Sequence, residues 1–278
     1  MILGHKHLIA DFKKMADETL FGHGYIFFGQ EGVGKFLTAR ALANYLETKN
    51  FVWSDGALSD VLVIEPDEKS SIGIDKTREI SGYLYQRPII SKYRTVIVNN
   101  AETLTSEAQN SLLKISEEPP VAGLLILIVR DPELLRETLV SRFNKLFFSN
   151  LSINEVTDWL VKEYNISVVK AGGLARESFG RPGLALKLFK DEDYKELLKS
   201  AKKFLKLGDS ERKDFLKNLT GEVAFNLEEF LDAVAVNIAL SEKRSFDLWH
   251  RTLQLKKEAS YFNLNPRVQL QALLESSK

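Results

Sequence analysis

Two kinds of apolar pattern alternate along the first 150 residues. One is a short unbroken run: YIFF (25–28), DVLVIEP (60–66), YRTVIVNN (93–100), LLILIV (124–129) and NKLFF (144–148). Runs of this length, apolar on both faces, predict strands buried inside a parallel sheet. The other pattern repeats every three or four residues. It covers 9–21 (Ile9, Phe12, Met15, Ala16, Leu20), 36–47 (Leu37, Ala41, Leu42, Tyr45 and Leu46 on the buried side), 74–88, 106–118 and 132–143. That spacing predicts amphipathic helices. Ser106 is placed to cap the fourth of these, and Pro119–Pro120 stop it. Strands alternating with helices give an α/β fold, a parallel sheet flanked by helices.

After about residue 150 the strand pattern stops. Residues 153–165, 168–178 and 182–189 read as three short helices, and helical spacing continues towards Lys278 through EEFLDAVAVNIAL and PRVQLQALLES. The lysine-rich segment 190–206 keeps an apolar residue every three to four positions, so its charges read as a solvated helix face. This divides the chain at 1–150, 151–190 and 191–278.

Composition narrows the picture. Among 278 residues, 44% are hydrophobic, and Lys+Arg 38 balances Asp+Glu 38. A chain without net charge is not a strongly basic nucleic-acid binder, so DNA contact is expected only from a local patch or through partner chains. Cysteine is absent, which excludes disulfides and cysteine-held zinc. The longest apolar run, near residues 121–129, is too short to cross a bilayer. The start MILGHKHLIADFKK lacks a basic-then-apolar leader, and a soluble cytoplasmic protein with no membrane association is expected.

One stretch carries candidate chemistry. In GQEGVGKF (29–36), Gly29, Gly32, Gly34 and Lys35 fit G-x-x-x-x-G-K between an apolar run and a helix. In such a loop, glycines let backbone N–H groups face phosphate oxygens, the helix N-terminus adds a favourable dipole, and the Lys reaches the outer phosphates. An ordinary glycine turn before a helix is the plainer alternative. A hydrolytic site also needs a hydroxyl after the Lys for Mg²⁺. Phe36 stands there, and Thr38, two residues on, points elsewhere. It needs an acidic pair at the end of a later strand, where this chain has Asn99 and Asn100. An amide holds Mg²⁺ weakly and cannot accept a proton from water. Glu102 lies two residues past that place. Hydroxyl, metal carboxylate and base are all missing, so hydrolysis by this chain is not expected and no metal site is assigned.

The stretches GHGYIFFGQEGVGK, VIVNNAETLTSEAQNSLLKISEEPP and TLVSRF together resemble the clamp-loader branch of the AAA+ ATPases, and within it the delta-prime subunits of bacterial DNA polymerase III. LLKISEEPP (112–120), with Ser116 for the usual Leu, is the most specific of these signals. The resemblance is closest over residues 1 to about 190. It implies an AAA+ P-loop core (1–150), a helical lid (151–190) and a helical collar for oligomerisation (191–278). It further implies a hetero-pentamer with gamma/tau-type ATPases and a delta-type subunit, acting on a sliding clamp and primed DNA during replication. The chain would then belong to a DNA-directed DNA polymerase holoenzyme. The family's Ser-Arg-Cys motif, whose Arg serves a neighbour's ATP, reads Ser141-Arg142-Phe143 here. The resemblance therefore assigns Arg142, with Ser141, a catalytic role in trans. The four-Cys zinc module of several relatives has no counterpart, so no zinc is expected. Where active members carry a nucleotide-sensing Arg on the lid, Gly183 is the best match and Arg181 is displaced. The reading is a non-hydrolysing subunit that requires no cofactor, with ATP or ADP binding without turnover allowed by the loop. An active AAA+ motor subunit and a nucleotide sensor without turnover are the alternatives.

Overall fold

The computed structural model describes residues 2–53, 56–67, 71–221, 225–241, 245–259 and 265–275. The chain divides into two compact units, Met1–Ala185 and Leu186–Lys278.

The first unit is built on a five-stranded sheet: β1 (Gly24–Phe28), β2 (Val61–Ile64), β3 (Arg94–Val98), β4 (Gly123–Val129) and β5 (Asn144–Phe147). The spatial order is β2-β3-β4-β1-β5 and every pairing is parallel. Each central strand feeds two cores because successive side chains point to opposite faces. Ile26, Val96, Val98, Leu125 and Leu127 pack on one face with α3 (Ile74–Leu84), α4 (Ser106–Glu117) and α5 (Glu137–Val140). Phe27, Ile97, Leu124, Ile126 and Ile128 pack on the other with α1 (Lys6–Glu18) and α2 (Lys35–Thr48). The strands therefore read as unbroken apolar runs, and the α/β class expected from the sequence is the one observed. In the same unit α6 (Ile153–Tyr164) and α7 (Val168–Glu177) bury Val156, Leu160, Ala171 and Ala175 together with Ala185 of α8 (Pro182–Lys190).

The second unit is helical: α9 (Glu192–Lys206), α10 (Asp209–Leu219), α11 (Leu227–Leu240), α12 (Phe246–Ala259) and α13 (Pro266–Glu275). Its core gathers Phe204, Leu216, Phe230, Leu231, Val234, Leu255 and Leu270. On α9, Tyr194, Ala201 and Phe204 turn inward while Lys199, Lys202, Lys203 and Lys206 are exposed, the solvated face its spacing predicts. Ser276, the last residue of the predicted C-terminal helix, lies outside the described residues.

Several local expectations are corrected. Helix α1 runs from Lys6 and stops at Glu18, because Thr19 turns left-handed (φ 57). Leu20 is therefore outside it and 62% exposed, and Leu37 on α2 is 44% exposed. Helix α3 ends at Leu84, short of Pro88. Beyond it the chain wraps the buried Asp60 carboxylate, which accepts the backbone N–H groups of Ile89, Ile90 and Ser91 and an Arg94 hydrogen bond of 2.6 Å. The cap of α4 is Thr105, whose hydroxyl accepts the Ala108 N–H at 3.2 Å, and not Ser106. Residues 132–143 are not one helix. Asp131 caps a 3₁₀ turn over Pro132–Leu134, and Leu135 and Arg136 are extended before α5 begins. The Gln109 side chain accepts the Arg136 N–H at 2.8 Å, a tertiary bond that outweighs local helical spacing.

Candidate functional site

The glycine loop forms where the sequence places it, between β1 and α2. Gly29, Gly32 and Gly34 have φ of 136°, 81° and 100°, a region closed to most side chains. A Cβ on Gly29 would lie 2.3 Å from the Phe148 carbonyl oxygen. The backbone shape is that of a phosphate cradle.

Its lysine and several of its carbonyls are engaged from within. The Lys35 ammonium donates to the carbonyls of Gly29 (2.5 Å) and Gln30 (2.8 Å). The Gly32 carbonyl accepts the Gly183 N–H of α8 at 2.8 Å. His5 Nε2 lies 3.0 Å from the Val33 carbonyl, and Thr38 Oγ1 donates to the Gly34 carbonyl at 2.9 Å. Burial pushes the Lys35 ammonium down to about 8, against the pull of nearby Glu102 and Glu31. Phe36, in the first turn of α2, packs partly buried against the core, with its ring centroid 5.9 Å from that of Trp53. Thr38 is buried and spends its hydroxyl on its own helix, so neither residue after Lys35 presents an oxygen to a metal.

Asn99 and Asn100 follow β3. Asn99 donates its amide to Glu65 Oε1 at 3.2 Å, and Asn100 takes a left-handed conformation (φ 52). That turn starts a 3₁₀ segment, Ala101–Thr103, which curls Glu102 back towards the cradle. Sequence distance alone had set Glu102 past the site. The structure buries it within electrostatic reach of Lys35, with Oε1 3.4 Å from Arg130 Nε. Burial pushes its carboxyl up, against the opposing effect of a backbone hydrogen bond, Arg130 and Lys35. Glu102 Oε2 is buried without a hydrogen-bond partner among the described residues. The left-handed tendency of Asn in an N-N-A-E string was the one sequence signal for this return. Arg130, just past β4, carried none.

The donor set does not suit a magnesium-bound nucleotide. It offers one carboxylate already paired with Arg130, amides in place of an acidic pair, and a Lys committed to carbonyls. Among the described residues no group of three His, Cys, Asp or Glu could hold a metal ion.

Ser141 and Arg142 lie elsewhere. They follow α5 and precede β5, and Asn144 pairs in register with Tyr25 near the amino end of β1. The cradle leaves the carboxyl end of the same strand. Five residues separate the two, about 16 Å at the usual rise of a strand. Arg142 donates to the Thr138 carbonyl and, at 2.8 Å, to Glu117 Oε1 at the end of α4. Ser141 Oγ also donates to the Thr138 carbonyl, at 3.2 Å. Phe143 anchors the motif: it is buried against Gly24, where an added Cβ would lie 2.4 Å from the ring.

Comparison with known proteins places the chain in a family and a fold. A family described as "DNA polymerase III, delta subunit" matches residues 4–152, just over half of the chain. The chain is 33% identical over 154 residues to DNA polymerase III subunit gamma/tau of Mycobacterium bovis, covering 51% of this chain and 27% of that protein. It is 32% identical over 140 residues to DNA polymerase III subunit delta' of Escherichia coli, covering 50% and 42%. With subunit gamma/tau of Mycoplasma genitalium it shares 26% over 269 residues, covering 87% and 44%. The chain thus spans less than half the length of these relatives. Among solved structures, a gamma-subunit-related protein of DNA polymerase III from Thermotoga maritima matches with TM-score 0.56 at 20% identity, covering 96% of this chain and 97% of that one. The RuvB Holliday junction branch migration motor of the same organism matches with TM-score 0.51 at 13% identity, covering 92% and 78%. These two likenesses concern the fold alone. Among the described residues no helix is long and apolar enough to cross a membrane.

Proposed function

The chain belongs to the DNA polymerase III delta-subunit family, and from that premise we propose that it is a delta-prime-type subunit of a clamp loader: a piece that does not hydrolyse ATP itself but completes a neighbour's ATP site with Arg142. It works in a hetero-pentamer with gamma/tau-type and delta-type subunits, which loads a sliding clamp onto primed DNA in the bacterial cytoplasm. Residues 1–150 are the core, 151–190 the lid and 191–278 the collar that docks with partners. No cofactor is required.

The observation that carries this reading is the position of Arg142. It stands at the amino end of β1, a strand's length from the cradle at the other end. An arginine there cannot reach a phosphate held by its own loop, so a phosphate it stabilises belongs to another molecule. A fixed guanidinium fork suits the charge of a transferring phosphoryl group. Support for the other half of the reading comes from Phe36, Asn99 and Asn100, which offer neither a hydroxyl for a metal nor a carboxylate to act as base, and from Lys35, whose ammonium is partnered within the chain.

A second reading, turnover by this chain itself, draws on one observation: Glu102 is a carboxylate at the cradle with a buried, unpartnered oxygen. One experiment addresses both. The clamp- and DNA-stimulated ATPase of the reconstituted loader is measured with this chain intact and as Arg142→Ala, with the chain alone in parallel. The expected result is a silent lone chain and a loss in the complex of about 10³-fold or more, the scale of an arginine finger. An unchanged rate for Arg142→Ala rejects the trans role. Hydrolysis by the lone chain that disappears in Glu102→Gln establishes the second reading.

A further inference from the structure

Glu117 sits at an awkward place. It is the last residue of α4, followed by Glu118, Pro119 and Pro120. The C-terminal end of a helix carries partial negative charge from its free carbonyls, and it favours Lys or Arg over Glu. Two consecutive acids there are locally unfavourable, which calls for a compensating cation. The compensating group is Arg142, whose Nη2 donates to Glu117 Oε1 at 2.8 Å.

Arg142 answers a second helix end at the same time. It lies just beyond α5 and donates Nη1 to the Thr138 carbonyl, so its charge sits where a helix C-terminus favours a cation. Two helix C-termini converge on one guanidinium, one through a carbonyl and one through a carboxylate. Below it, the next residue, Phe143, is held in the core against Gly24. Backbone, ring and carboxylate together restrict a side chain that would otherwise explore many rotamers. The pair stays accessible, with the Arg142 side chain 34% exposed and that of Glu117 53% exposed. An ion pair at that exposure is weak and readily exchanged.

Resting on the trans role of Arg142 proposed above, we infer that Glu117 is a positioning residue for that arginine: it holds the guanidinium in a reaching orientation and yields it to the phosphoryl group of a neighbour's nucleotide, one oxyanion replacing another. Glu117 touches no substrate. Its effect falls on how often Arg142 is aligned when the phosphoryl group transfers, and so on kcat rather than on ATP binding by the neighbour.

The test uses the reconstituted loader with sliding clamp and primed DNA. Steady-state kcat and KM for ATP are measured with this chain as wild type, Glu117→Ala, Glu117→Gln, Arg142→Ala and the Glu117→Ala/Arg142→Ala double variant. Assembly is followed by size-exclusion chromatography. Glu117→Ala should lower kcat by about two- to fivefold, the scale of the contact an exposed ion pair supplies, with KM unchanged. Glu117→Gln, which keeps the length and an acceptor oxygen, should recover part of that loss. The double variant should be no slower than Arg142→Ala alone. Wild-type kcat in Glu117→Ala beside a large loss in Arg142→Ala overturns the positioning role and leaves the finger intact. A fall in kcat that merely follows loss of assembled complex overturns it as well. If Arg142→Ala itself changes nothing, the finger reading fails, and the positioning role with it.

Discussion

The two ends of β1 carry the two candidate cations, Lys35 and Arg142, and they are built in opposite ways. At the carboxyl end, Lys35 is 9% exposed, and its ammonium is taken by the carbonyls of Gly29 and Gln30. Burial there makes the charge itself easy to lose. At the amino end, Arg142 is a third exposed and leans on a carboxylate that a phosphate could replace. A cation that serves an incoming anion must have partners it can exchange. Lys35 has backbone carbonyls deep in a loop, whereas Arg142 has a half-exposed Glu. The difference is one of availability: Lys35 is closed in by its own loop, and Arg142 stands partly open at the opposite end of the strand.

The largest effect on stability is expected at the arginine edge. Phe143 is 6% exposed and belongs to the core formed by β1, β3, β4, α3 and α4. Phe143→Ala should cost about 3–5 kcal/mol in urea unfolding, as buried aromatic truncations do. Phe36 on the cradle side is only partly buried, so Phe36→Ala should cost clearly less. Equal losses would mean that the two ends are equally anchored, and the contrast between them would fail.

Next in size is the buried Lys35. Its ammonium is held at about 8 in the folded chain against 10.5 for the free side chain, a difference worth about 3 kcal/mol at 1.36 kcal/mol per unit. The sign follows from which state holds the proton. Below pH 8 both states are charged and the penalty on the folded state is fully present. Between about 8 and 10.5 the unfolded chain keeps the proton that the folded chain has lost, so folded stability rises with pH across that window. Lys35→Met removes the group. The unfolding free energy of the wild type minus that of Lys35→Met should therefore climb by about 3 kcal/mol from pH 7.5 to 10.5. A flat difference would mean that the ammonium is solvated and free to meet a phosphate, as in a working cradle.

What the sequence disclosed and what it hid follow the same line. The strands were legible because burial on both faces leaves unbroken apolar runs, as in residues 124–129. The cradle was legible because its three positive φ angles require glycine. Phe36, Asn99 and Asn100 occupy, by residue type alone, the places where a hydroxyl and an acidic pair were sought, and the structure has Phe36 beside Trp53 and Asn99 donating to Glu65. Long-range polar bonds were not legible. Helix α3 stops early because Asp60 gathers three N–H groups from residues 89–91, and the break in 132–143 depends on Gln109 reaching Arg136. Neither partner is near in sequence, so no local pattern records them. Glu102 returned to the site through one left-handed Asn, and Glu117 met Arg142 across 25 residues.

A third test concerns what holds α8 against the glycine loop. Gly32 and Gly183 approach backbone to backbone: a Cβ on Gly183 would stand 2.9 Å from the Gly32 Cα. Two effects oppose in Gly183→Ala. Alanine is better than glycine inside a helix by about 0.5–1 kcal/mol. Overpacking against backbone that cannot swing aside costs about 1–3 kcal/mol. The clash should win, for a net loss of about 1 kcal/mol, with faster hydrogen exchange at the Gly183 amide as its bond to Gly32 weakens. A gain in stability would mean that α8 is not held against the loop.

The smallest effect concerns the helix that joins the two regions. Helix α4 starts just past the Glu102 turn and ends at Glu117 beside Arg142, about 18 Å away along its twelve residues. Its start is fixed by Thr105, whose hydroxyl accepts the Ala108 N–H, while Ser106 makes no such bond. Thr105→Ala should cost about 1 kcal/mol, the usual value of an N-cap, and Ser106→Ala a few tenths. The site of that small loss is informative. If the helix frays only at its first turn, hydrogen exchange should quicken around residues 106–109 and leave Leu113 to Glu117 unchanged. The arginine edge would then be anchored independently of the cradle, by Phe143 and the sheet. If exchange quickens along the whole of α4, the two ends of β1 are mechanically coupled, and a disturbance at the glycine loop would reach the carboxylate that holds Arg142.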